Sequence, residues 1–101
     1  MVAILSQENC SRIFQALADR TRLRILELLK EGELCVSEIG ERFAMTQPSI
    51  SHHLDVLKRA GLVSSEKRGR EVYYRFKRDA IVECCCSQFK LLDIEIRLKD
   101  G

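Results

Sequence analysis

The chain has 101 residues, enough for one domain that buries roughly two thirds of its unfolded surface on a single core. With 46% hydrophobic and 32% charged residues it reads as a soluble globular protein. Net charge is only +2, which excludes a uniformly basic or acidic chain and directs attention to how the charge is spread.

No apolar run approaches the ~20 residues of a membrane span, so no membrane partner is expected. The start MVAILSQENC lacks the basic n-region of a signal peptide, so a cytoplasmic setting is expected. Five cysteines, three of them adjacent, make a poor disulfide framework, and neither metal nor cofactor is needed for folding.

Apolar spacing marks five helices and one hairpin. In the first helix Cys10, Ile13, Phe14 and Leu17 recur at i, i+3, i+4 and i+7. Asp19 is placed to cap the second, whose stripe is Leu23, Leu26 and Leu29, and Gly32 to end it as a left-handed residue. The third runs from Val36 to Phe43 with Ile39 and Phe43 inward.

After Ala44-Met45-Thr46, Thr46 caps a fourth helix with Pro48 in its first turn. Ile50, Leu54 and Leu57 form its buried stripe and Gly61 ends it. Its opposite face carries Ser49, His52, Asp55 and Arg59, with Gln47 and Ser51 near the first turn; His53 points toward the buried side and reads as structural.

In LVSSEKRGREVYYRF, Val72, Tyr74 and Phe76 alternate with Tyr73 and Arg75, and Gly69 sits in the turn. That is a two-stranded hairpin with a basic tip, which must pack on the helices because a lone hairpin is marginal in water. The last helix is expected from Asp79, capping its start, to about Leu98. Ile81, Cys85, Phe89, Leu92 and Ile96 make one stripe, while Leu91, Ile94 and Leu98 add apolar surface elsewhere. A helix apolar on more than one side is buried on more than one side, which in so small a chain points to a dimer.

The fold class is therefore mainly α with a small β-hairpin: four helices, two strands and a closing helix, as one domain over residues 1–101. Charge concentrates in its second half. Lys58, Arg59, Lys67, Arg68, Arg70, Arg75, Lys77 and Arg78 face only Glu66 and Glu71, so that stretch carries +6 and the remainder −4. A short helix, a tight turn, a longer helix with a polar face and then a basic hairpin read as a winged helix-turn-helix on double-stranded DNA. Thr46, Gln47, Ser49, Ser51 and His52 are candidate DNA contacts on the recognition helix, with Arg59 at its far end. Lys67, Arg68 and Arg70 suit phosphates or the minor groove. The alternatives are a solvated charged face, or a winged helix whose groove surface binds protein. No motif places a nucleophile beside a base, so an enzyme is not expected.

ALADRTRLRILELL, ELCVSEI, QPSISHHLDVLKRAGLV and the RGREVYY wing, in this order over about residues 10 to 80, resemble the ArsR/SmtB family of repressors. The resemblance implies a homodimer paired through the first and last helices, bound to a two-fold symmetric operator. It also implies release when a metal ion, metalloid or oxidant acts on cysteines or histidines. The family's arsenic-type site has Cys-Val-Cys at the third helix; here Cys35-Val36-Ser37 keeps only the first thiol. Some relatives complete the site with an N-terminal cysteine of the other subunit, a part Cys10 could take. The zinc-type site is absent, because Asp79 is followed by Ala80 and Ile81 and no histidine follows His53.

Cys84, Cys85 and Cys86 remain, and some relatives sense arsenicals through neighbouring cysteines on the last helix. Successive helical residues lie about 100° apart, so three consecutive thiols cannot all reach one ion. This geometry puts Cys85 on the core stripe and leaves Cys84 and Cys86 free. The cysteines are open to three readings: a site for As(III), Sb(III) or another soft metal ion as inducer, a redox or persulfide sensor, or structural filler.

Overall fold

The computed structural model describes residues 7–92. The helices are α1 (Gln7–Leu17), α2 (Arg20–Leu29), α3 (Val36–Glu41), α4 (Gln47–Arg59) and α5 (Arg78–Leu91). The strands are β1 (Leu34–Cys35), β2 (Val63–Arg68) and β3 (Glu71–Phe76), in the antiparallel order β1-β3-β2. This is a winged helix-turn-helix: α3 and α4 pack together, and β2 and β3 form the wing.

Local chemistry sets the boundaries. Asp19 starts α2 by accepting the Arg22 backbone N–H at 3.1 Å. Thr46 starts α4 by accepting the Ser49 N–H at 3.3 Å, with Pro in the first turn. α4 stops in a Schellman arrangement: the Leu62 N–H donates to the Leu57 carbonyl and the Gly61 N–H to that of Lys58, both at 2.9 Å. Gly61 has φ +80°, which a side chain would disfavour. At the wing tip Arg68 pairs with Glu71, leaving the two-residue turn Gly69-Arg70 with Gly69 at φ +63°.

The core is apolar and draws on every helix: Cys10, Ile13 and Ala16 from α1, Ile25, Leu26 and Leu29 from α2, Ile39 from α3, Ile50, Leu54 and Leu57 from α4 with its C-cap Ala60, and Cys84 from α5. Tyr74 and Phe76 pack on it from β3, which seats the wing.

Several expectations change. Phe14 and Leu23 are 46% and 48% exposed: α1 turns Ala16 inward at i+3 from Ile13, and α2 uses Ile25. Gly32 does take a positive φ of +154°, but it lies two residues beyond the Lys30 C-cap rather than at the C′ position expected of it. α3 ends at Glu41, yet Phe43 still packs half-buried on the core. The wing gains a third strand, since Leu34 and Cys35 pair with Tyr74 and Tyr73. Lys77, not Asp79, is the α5 N-cap, and its side chain makes no capping bond.

The buried thiol on α5 is Cys84, while Cys85 is half-buried and Cys86 exposed. α5 meets α1 along the side carrying Ala80, Ile81 and Cys84, one position behind the i, i+4 stripe drawn through Cys85. Leu92 is exposed. The expected continuation through Ile94, Ile96 and Leu98, and the Phe89 side chain, lie outside the described residues.

Candidate nucleic-acid interface

α4 buries Ile50, Leu54 and Leu57 and turns Gln47, Ser51, His52, Lys58 and Arg59 to solvent. Thr46 is exposed at its N-terminus. Ser49 is half-buried, and its Oγ accepts from the Thr46 hydroxyl at 3.1 Å, so it serves the cap. Arg59 folds back on Asp55 at 3.0 Å, an i, i+4 pair on the helix surface.

His53 is half-buried and faces Arg22, whose Nη1 lies 3.4 Å from Nδ1. The same guanidinium donates from Nε to the Ala16 carbonyl at 2.8 Å and from Nη2 to that of Gln15 at 3.3 Å. Arg22 thus satisfies the open C-terminus of α1 while joining α2 to α4. The backbone N–H of Arg22, then its charge, holds the Asp19 carboxyl below the usual carboxylate range. The Asp19–Arg22 spacing of three is a signal visible in the sequence; the reach to His53 is not.

The wing divides its cations. Lys67 and Arg70 at the tip have no side-chain partner among the described residues. Arg68 donates from Nη1 to Glu33 Oε1 at 2.7 Å and from Nη2 to Glu33 Oε2 at 3.1 Å and Glu66 Oε2 at 2.9 Å. It also lies 4.7 Å from the centre of the Tyr73 ring. Arg75 adds a longer pair with Glu33 at 3.6 Å. Glu33 and Glu66 are held below their ordinary range, in both cases chiefly by the hydrogen bond from Arg68. Of the eight cations between Lys58 and Arg78, Arg59, Arg68 and Arg75 are paired; Lys58, Lys67, Arg70, Lys77 and Arg78 are unpaired among the described residues. Glu33 had no local signature in the sequence, because it meets Arg68 across 35 positions.

The five thiols do not converge on one point, although Cys10 and Cys84 meet in the core. Cys35 is buried, its sulfur 3.2 Å from the Ser37 hydroxyl, which donates to Glu71 on β3 at 3.2 Å. Serine thus ties α3 to the wing where the arsenic-type pattern has its second cysteine. Cys84 is fully buried beside Cys10, and burial first, then the Cys10 thiol, pushes its pKa up to about 12. No group of three potential metal ligands occurs among the described residues. No helix among them is long and apolar enough to cross a membrane.

The family model for bacterial regulatory proteins of the arsR family matches residues 19–65, from the α2 cap through the recognition helix into the wing. The transcriptional repressor SdpR of Bacillus subtilis is 44% identical over 64 residues, 63% of this chain and 71% of that protein. This chain belongs to the ArsR family. The arsenical resistance operon repressor of Escherichia coli is 46% identical over 65 residues, 63% of this chain and 56% of its own length. Among solved structures, a homodimeric winged helix-turn-helix DNA-binding domain from Mycobacterium bovis superposes with a TM-score of 0.68. It is 28% identical, covering 96% of this chain and 100% of that one. The first two are named as repressors and the third as a possible ArsR-family transcriptional regulator.

Proposed function

We propose that this ArsR-family chain is a cytoplasmic, homodimeric transcriptional repressor whose α4 enters the major groove of a two-fold symmetric operator. The observation that carries the reading is the exposed polar face of α4 at Gln47, Ser51 and His52, beside two wing-tip cations unpaired among the described residues. Gln47, Ser51 and His52 read base edges, Thr46 lies at the groove entrance, and Lys67 and Arg70 hold phosphates. The dimer forms through α1 and α5. Phe14 on α1 and Leu91 and Leu92 on α5 are large apolar side chains left at 46%, 66% and 64% exposure. Between these two helices the Gln88 Nε2 is buried with no hydrogen-bond partner, a loss a second copy can repair.

The inducer is a thiophilic ion of the As(III) or Sb(III) kind acting at Cys85 and Cys86, the two thiols that solvent reaches. The arsenical resistance repressor among the relatives supports this class. One α5 turn offers two accessible sulfurs, so a third comes from a second copy.

Alanine variants test the division of labour. Lys67→Ala and Arg70→Ala should weaken binding to cognate and random duplex alike, each flattening the log K against log salt slope by about 0.9. Gln47→Ala and His52→Ala should instead cost about 1–3 kcal/mol on the cognate site and little on random DNA. Equal losses on both duplexes for the second pair would remove α4 from base recognition.

A further inference from the structure

We infer that Arg68 is a latent phosphate contact, held off DNA by Glu33 and Glu66, and that Glu33 is the positioning residue that sets the wing. The inference rests on the wing being a DNA contact and concerns how that contact is limited. A guanidinium fork fits a carboxylate and a phosphate with the same two-bond geometry. In this fold Glu33 occupies that fork with both oxygens, at 2.7 and 3.1 Å, and Glu66 takes a further bond at 2.9 Å. The Tyr73 ring closes a remaining face at 4.7 Å. Lys67 and Arg70, on either side in sequence, have no such partners among the described residues.

A single exposed ion pair is weak and would yield to a phosphate. Arg68 is held differently. Moving it to DNA breaks bonds to two carboxylates and a ring contact, and leaves Glu33 and Glu66 facing the phosphate backbone with only Arg75 near them. The clamp also sets geometry. Glu33 immediately precedes β1, so its bond ties the α2–β1 connection to the tip end of β2, and Arg75 draws β3 to the same carboxylate. Two guanidiniums and two carboxylates make a neutral cluster where the sequence reads as cationic. The wing meets DNA with two cations rather than three, which lowers affinity for random duplex and leaves selection to α4.

The test is the salt dependence of binding to a random duplex by the intact chain. Glu33→Gln with Arg68→Gln removes one charge of each sign and should leave the slope at its wild-type value. Glu33→Gln with Glu66→Gln frees Arg68 and should steepen the slope by about 0.9, one added phosphate. Adding Arg68→Gln to that pair should return it. Glu27→Gln with Glu41→Gln makes the same charge change on α2 and α3, outside the clamp, and should leave the slope unaltered. The inference fails if the Glu33/Arg68 pair flattens the slope by about 0.9, or if the Glu33/Glu66 and Glu27/Glu41 variants behave alike. A wild-type chain that binds no duplex at low salt defeats the DNA reading and the latent contact together. The clamp itself is then judged by whether the melting shifts of Glu33→Gln and Arg68→Gln are non-additive, as a shared pair requires, or additive, which removes it.

Discussion

Cys84, Cys85 and Cys86 are neighbours in sequence with three different environments. Cys84 is enclosed beside Cys10, and burial raises its pKa to about 12. Because the thiolate is both nucleophile and soft ligand, that upward shift keeps Cys84 in its unreactive thiol form. Cys85 and Cys86 are open to solvent to increasing degrees. Titrating arsenite and antimonite onto the protein–DNA complex should therefore release DNA from the wild type and from Cys84→Ser, but not from Cys85→Ser with Cys86→Ser. Release that survives the double variant, or that polysulfide causes and arsenite does not, would move the sensor elsewhere or change its chemistry to redox. Helix geometry alone showed that three consecutive thiols cannot share an ion. Which one faces inward was not legible, because it depends on where α1 lies against α5, and a one-residue error rotates the choice by about 100°.

Individual elements follow their local chemistry closely, and two glycines show how far. Gly61 takes φ +80° to close α4, whereas Gly40 lies within α3, and an added Cβ meets nothing within 4 Å at either position. Any difference between them is therefore conformational. Gly61→Ala should destabilise the chain by about 1–2 kcal/mol through the left-handed penalty. Gly40→Ala should stabilise it by about 0.5–1 kcal/mol through helix propensity. Denaturant midpoints moving in the same direction for both would contradict these assignments. The caps at Asp19 and Thr46, the Gly61 stop and the hairpin turn were all readable, because each rests on residues within five positions of one another. β1 was not, since two residues carry no periodicity and Leu34 and Cys35 are strand only through pairing with β3. The Glu33–Arg68 tie was hidden for the same reason, and it changes how the wing's charge is to be counted.

At the scale of the whole molecule, the same helices that build the core leave an apolar remainder on α1 and α5 and a polar, cation-flanked face on α4 and the wing. On the proposed reading a second copy covers the first and a duplex covers the second. Two copies related by a two-fold axis would present two α4 helices to half-sites about one helical turn, or a multiple of it, apart. The most direct measurement is binding of the intact chain to the DNA upstream of its own coding region, against a shuffled duplex of equal composition at about 0.15 M salt. Two protomers should bind per upstream duplex, at least about 10³-fold more tightly than to the shuffled one. Equal affinity for the two duplexes, or one protomer per site, would contradict the account.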